Sequence, residues 1–238
     1  MDDWQYQPAR DHGLTPGESW RSPRREGGLG AAITRRIWWG GARAYLKLYH
    51  RLEVRGAEHL PRDTPVVLVA NHESHLDAIV LAASLPLRWR ERCFPIAAGD
   101  VFFETPAVSW FAANMLNALP LWRKRAGRHA LAELRARLLE DRAAYILFPA
   151  GARSRDGKML PFKPGIGMMV AGTGVPVVPC FIEGSFEALR PQTSLPRPRR
   201  ITLTIGPPMT FADIADDREG WEIIGARLQR AVEALERK

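Results

Sequence analysis

The run Pro65-Val66-Val67-Leu68-Val69-Ala70 leaves the middle of this chain few options. It is uncharged, rich in β-branched valine and bounded by Thr64 and Asn71, and it reads as a buried strand. Comparable runs recur at Phe94-Pro95-Ile96-Ala97-Ala98, Ala118-Leu119-Pro120-Leu121-Trp122, Ala144-Tyr145-Ile146-Leu147-Phe148 and Val175 to Ile182, with an alternating strand at Ile201 to Ile205. Between them, helices are predicted from Ala78 to Leu85 (stopped by Pro86), from Pro106 to Leu116, from Gly127 to Glu140 and from Gly165 to Gly172. A terminal amphipathic helix from Asp217 places Trp221, Ile224, Leu228, Ala231 and Leu235 along its apolar side. Strands alternating with helices predict an α/β fold. The expectation is a single layered domain over residues 53–238, with a central mixed, largely parallel sheet flanked by helices. A chain of 238 residues, 46% of them hydrophobic, can bury such a core.

The N-terminal quarter reads differently. Residues 1–27 carry Pro8, Pro16 and Pro23 among mixed charges with little apolar periodicity, and a flexible tail is expected. They lack the order of a secretory signal. On a helical wheel, residues 28–52 place Arg36, Arg43, Lys47 and His50 in one sector and Ile33, Ile37, Trp38, Ala44, Tyr45, Leu48 and Tyr49 in a broad sector opposite. Arg35 intrudes on that sector, and Trp39 and Leu46 flank the basic side. No run of about 18 uncharged apolar residues occurs, so a spanning helix is not expected. Tryptophan and tyrosine beside arginine and lysine suit an interfacial helix lying on a membrane surface. An ordinary surface helix with its wide face on the domain is the alternative.

The formal charge is +8, and all basic residues except Lys47, Lys124, Lys158, Lys163 and Lys238 are arginine. A basic surface suits phosphate-bearing partners. No recognisable nucleic-acid motif accompanies it, and no nucleic-acid partner is expected. Cys93 and Cys180 sit in apolar surroundings and read as buried thiols. The His72-x-x-His75 pair lacks a second group of ligands, so no metal site is expected.

Chemistry gathers where the strands end. His72 follows the first run and Asp77 stands five positions on, a spacing that lets a carboxylate orient an imidazole base. With six histidines, such a pair arises by accident in about a quarter of chains. Two further strand ends strengthen it: Arg123 after Trp122, and Gly151 with Arg153 after Phe148. Sites in α/β sheets form outside the carboxyl ends of strands. A base, two guanidiniums and a glycine loop suit the deprotonation of a hydroxyl on a phosphate-bearing molecule. No Gly-x-Ser-x-Gly elbow is present, so the nucleophile is expected to be the substrate's own hydroxyl.

Asn71-His72-Glu73-Ser74-His75-Leu76-Asp77 resembles the N-H-x4-D box of the glycerolipid acyltransferases, the family of 1-acylglycerol-3-phosphate acyltransferases. Leu119-Pro120-Leu121-Trp122-Arg123 resembles the second block of that family, Phe148-Pro149-Ala150-Gly151-Ala152-Arg153-Ser154 the third, and Val175-Pro176-Val177-Val178-Pro179 the fourth. The resemblance covers about residues 55 to 185. It implies transfer of a fatty acyl group from acyl-CoA or acyl-carrier protein to a lysophospholipid, without an acyl-enzyme and with no cofactor beyond that co-substrate. It also implies a peripheral or monotopic location at the cytoplasmic face of the inner membrane. His72 would be the base and Asp77 its orienter. Arg123 and Arg153 would contact phosphate, with Asn71, Gly151 and Lys163 as further substrate-binding positions.

The third block departs from the family pattern, with Ala150 and Ala152 where Glu and Thr are usual. The loss removes two polar groups beside Arg153. Lysophosphatidate as acceptor, another lysolipid or amino-lipid acceptor, and a non-catalytic anion-binding homologue on a membrane surface all stay open at this point.

Overall fold

The structure is a computed structural model and describes residues 8–122, 128–191 and 193–236. Among the described residues seven strands form one sheet: β1 (Glu53–Arg55), β2 (Val66–Ala70), β3 (Cys93–Ala98), β4 (Leu119–Leu121), β5 (Ala144–Leu147), β6 (Val177–Glu183) and β7 (Thr202–Ile205). Their order is β1-β7-β6-β2-β5-β3-β4, parallel throughout except for the β6–β7 pair. The sheet is mixed and largely parallel, as the alternation of elements predicts.

β2 is central, and every one of its residues is buried. The period-two alternation of a strand divides them between two cores. Val66, Leu68 and Ala70 face a layer containing Trp39, Leu46, Val80 and Leu81, whereas Val67 and Val69 face Leu134, Leu138, Ile166, Ile224 and Leu228. A parallel strand covered on both sides therefore shows an unbroken apolar run. The first layer is built by α2 (Leu29–Tyr49) and α3 (Leu76–Ser84), and the second by α6 (Arg128–Glu140), α7 (Gly165–Val170) and α9 (Arg218–Glu236). In that second layer a Cβ on Gly167 would lie 2.3 Å from the Trp221 Cα, so glycine sets how closely α7 approaches α9.

One reading of the N-terminal region needs correction. Residues 8–27 do not form a tail without structure. Thr15 caps α1 (Pro16–Trp20) in a capping box with Glu18, and Trp20 packs beside Phe103. Arg25 is buried, donating to the Ala118 carbonyl and the Asn117 Oδ1 at 3.0 Å each, while Arg137 donates to the Pro23 and Arg25 carbonyls. Long-range arginine contacts of this kind have no periodicity and leave no local trace in the sequence.

For α2 it is the alternative, a wide apolar face packed on the domain, that the structure does not show. The helix forms as expected, and its buried residues are Arg35, Trp39, Ala42 and Leu46, a narrow strip between the apolar and basic sectors. Most of the broad apolar sector points outward, with Ile33, Ile37 and Leu48 exposed, while Trp38 packs edge-on to Phe111. Arg35 tolerates burial because Glu91 pairs with it at 2.6 Å and the Asn117 Oδ1 accepts from it at 3.2 Å. Among the described residues no helix is long and apolar enough to cross a membrane.

Candidate functional site

The turn after β2 carries the histidine–aspartate pair. Asp77 lies in the first turn of α3 and is fully buried. Its Oδ2 accepts three hydrogen bonds: from the His72 Nδ1 at 2.8 Å, the Glu73 N–H at 2.7 Å and the Ser74 N–H at 2.8 Å. The five-residue spacing thus works because Asp77 closes the turn that presents His72. With a carboxylate accepting at Nδ1, the ring hydrogen sits there and the lone pair lies on Nε2. One fifth of the His72 side chain stays open to solvent. The Asp77 Oδ1 is buried with no hydrogen-bond partner among the described residues.

The loop after β5 closes over this turn. Phe148 stacks on the His72 ring at 4.0 Å between centroids and 17° between planes, and the Ser154 N–H donates to the His72 carbonyl at 2.8 Å. These contacts fix the imidazole plane and its backbone from the β5 side. Gly151 adopts φ +71°, which favours glycine. A Cβ there would come within 3.2 Å of the Lys163 Nζ. Arg153 follows in the same loop, and its Nη1 is buried without a hydrogen-bond partner among the described residues. An unsatisfied buried donor costs about 1–3 kcal/mol. His75 lies near both Arg153 and His72 and edge-on to Phe102, with ring centroids 6.0 Å apart. Partial desolvation, then the positive charges of Arg153 and His72, push its pKa down.

This turn lies where β2 is flanked by β5 on one side and β6 on the other, the kind of crevice at which open α/β sheets build sites. A model of the family described as "Acyltransferase" matches residues 51–183. The chain belongs to the acyltransferase family. It is 31% identical over 173 residues to the mouse 1-acyl-sn-glycerol-3-phosphate acyltransferase alpha, covering 70% of this chain and 58% of the relative. The human protein of the same name is 36% identical over 133 residues, 54% of this chain and 44% of its own length. The chain thus spans about half the length of the curated relatives it matches. The crystal structure of the 1-acyl-sn-glycerophosphate (LPA) acyltransferase PlsC from Thermotoga maritima is 30% identical. It has a TM-score of 0.66 and covers 87% of this chain and 80% of its own.

In this acyltransferase-family chain the fold brings together His72, Asp77, Gly151, Arg153 and Lys163. Arg123 lies outside the described residues. Asn71 is occupied structurally. It is 1% exposed, and its side chain acts as an extra rung between β2 and β6, accepting from the Ile182 N–H at 2.8 Å and donating to the Ile182 carbonyl at 2.9 Å. Its side chain is committed to joining the two strands and positioning the turn. The Gly151 N–H donates to the Phe148 carbonyl at 2.9 Å, which holds the turn in place. The Phe148 stack and the proximity of His75 were not assigned a role from sequence. Phe148 stands in the third block, which was the available signal. Among the described residues no group of three His, Cys, Asp or Glu is arranged to hold a metal ion.

Glu73 adds a titration to the site. It is buried and accepts from the Asn71 Nδ2 at 3.1 Å. Burial pushes its carboxyl from the ordinary 4.5 up to about 7, with Asp77 adding to the rise. The folded chain then holds a proton that the unfolded chain releases, so stability falls as pH rises from about 4.5 to about 7 and the full cost is present above that. Glu73→Gln keeps an acceptor for Asn71 and removes the charge. It is expected to stabilise the protein at pH 8 on the order of 1–3 kcal/mol and to have little effect at pH 4. Thermal unfolding at the two pH values checks this, and an equal effect at both would rule it out.

Proposed function

We propose that this chain transfers a fatty acyl group from an acyl thioester to the free hydroxyl of 1-acyl-sn-glycerol-3-phosphate, giving phosphatidate. The observation that carries the reading is the 2.8 Å bond from the His72 Nδ1 to a buried Asp77 whose position is fixed by two backbone N–H groups. His72 takes the proton of the acceptor hydroxyl at Nε2 as its oxygen attacks the thioester carbonyl. The tetrahedral intermediate collapses, the carbon–sulfur bond breaks, and the imidazolium returns the proton to the leaving thiolate. Asp77 stabilises the imidazolium formed in between.

Direct transfer without an acyl-enzyme is supported by the state of the nearby hydroxyls and thiols. The Ser74 hydroxyl donates to the Leu189 carbonyl at 2.9 Å and the Ser154 hydroxyl to Asp156 at 3.0 Å. Both cysteines are buried, and burial pushes the Cys93 thiol up to about 12 and that of Cys180 up as well. The names of the relatives point to the acceptor, and the unpartnered Arg153 Nη1, in the loop whose Gly151 lies against the Lys163 Nζ, supports a phosphate. Acyl-CoA or acyl-carrier protein would serve as donor, with no further cofactor. The outward apolar sector of α2, edged by Arg36, Arg43 and Lys47, supports a monotopic seat on the cytoplasmic face of the membrane.

Ala150 and Ala152 leave the loop ahead of Arg153 without polar side chains, which favours one second reading: a lysolipid or amino-lipid acceptor with a different head. Thioester consumption measured over a panel of lysolipids, with each donor, tests both. Lysophosphatidate is expected to be the best acceptor, and Arg153→Gln to raise its KM about 10–100-fold. A panel on which no acceptor is acylated by either donor would sink the enzymatic reading.

A further inference from the structure

The loop from Arg190 to Arg200, between α8 (Ser185–Ala188) and β7, is Pro- and Arg-rich. It holds Arg190, Arg197, Arg199 and Arg200 and no carboxylate, and in its middle Leu195 is 79% exposed. A leucine that open, set among exposed arginines, has no role in either core.

The loop is fastened to the end of α2. The Tyr49 hydroxyl donates to the Pro196 carbonyl at 3.0 Å, and the His50 Nδ1 donates to the Arg199 carbonyl at 3.2 Å while its Nε2 accepts from the Tyr45 hydroxyl at 3.0 Å. Tyr45 and Tyr49 stack at 5.2 Å, and both meet the His50 ring edge-on. The Ile201 N–H donates to the His50 carbonyl, closing the join. Next to Tyr49 on the helix is Leu48, 80% exposed. Two open leucines thus flank one aromatic clasp. At its other end the loop begins beside the site, where Leu189 accepts from the Ser74 hydroxyl two residues from His72.

We propose that this loop is a second membrane-contacting element, in which Leu195 enters an anionic lipid surface while Arg190, Arg197 and Arg199 pair with lipid phosphates. The inference rests on the reading that α2 lies on the membrane, and it extends that contact to the side of the site where a lipid acceptor must enter. Charge complementarity selects an anionic surface. The nearby carboxylates are few: Glu53 pairs with Arg55 and lies 3.8 Å from Arg200, and Glu183 and Glu187 are on the preceding turn. Arg190 lies over the Phe186 ring at 5.8 Å, which orients it without neutralising it.

The test uses the full chain and vesicles of phosphatidylglycerol mixed with phosphatidylcholine, or of phosphatidylcholine alone. Arg197→Gln/Arg199→Gln is expected to bind the anionic vesicles roughly 20-fold more weakly and the neutral vesicles unchanged, and Leu195→Asp to weaken binding to both. A fluorophore on Leu195→Cys, with the two native thiols buried, should shift to the blue on adding anionic vesicles. Wild-type binding by both loop variants together with an unshifted probe overturns the proposal. Loss of vesicle binding in Ile37→Asp/Leu48→Asp alone would overturn the loop and leave the α2 reading standing. Loss in the loop variants alone would do the reverse. An Arg197→Gln/Arg199→Gln protein that binds vesicles normally but uses acyl-carrier protein poorly would reassign the arginines to that acidic donor and also overturn the lipid assignment.

Discussion

His72→Ala is expected to slow acyl transfer about 10²–10⁴-fold, with the fold intact and the KM for the acceptor little changed. In the proposed reaction the imidazole relieves the acceptor hydroxyl of its proton, and its surroundings would hold it for that task. The ring is bonded at Nδ1 to Asp77, stacked on Phe148 and fixed through its backbone to Ser154. None of these partners replaces it as a base once it is gone. Wild-type and variant protein would be compared by thioester consumption at saturating acceptor, with circular dichroism confirming the fold. Equal rates would remove the general-base role.

Asp77 should separate two losses that usually come together. In Asp77→Asn the Glu73 and Ser74 N–H groups still demand an oxygen, so the amide carbonyl should take the Oδ2 position and keep the hydrogen of His72 on Nδ1. The tautomer survives, but the charge that stabilises the imidazolium is lost, and kcat is expected to fall roughly 10²-fold. Asp77→Ala removes the acceptor altogether. Two buried N–H groups and the ring lose their partner, so unfolding should become easier by about 2–5 kcal/mol, on top of a larger loss of activity. For a chain of this size that is a fall of roughly 5–15 °C in Tm. A variant Asp77→Ala as stable as wild type would contradict the geometry, and an Asp77→Asn enzyme of full activity would remove the electrostatic role.

Much of this was readable before any coordinates because it is local. The Val66–Ala70 run reads as a buried strand from composition alone, and both faces of it are covered. His72 and Asp77 are close enough in sequence that one turn joins them. What could not be read depends on distant partners. Asn71 contacts Ile182, more than a hundred residues away, so its place in the motif suggested substrate when its work is between strands. Arg25 and Arg137 pin a segment that by composition resembles a tail. For α2 the helical wheel divides apolar from basic correctly, but it holds no information about which sector the domain needs. Trp39 and Leu46 were buried by the shape of their neighbours in the first layer, and the larger apolar sector was left outside.

The Asn71 rung has a mechanical consequence for the crevice. On the β6 side the walls are joined by both hydrogen bonds of an amide, in series with the parallel ladder from Val67 to Ala70. On the β5 side the loop that carries Arg153 is held to the His72 turn by one backbone hydrogen bond and a ring stack. Both strands pair with β2 along parallel ladders, so the softer element is the loop beyond β5 and not the strand itself. In the proposed reaction a bulky headgroup would therefore displace the β5-side loop first, leaving the base and its carboxylate in register on the β6 side.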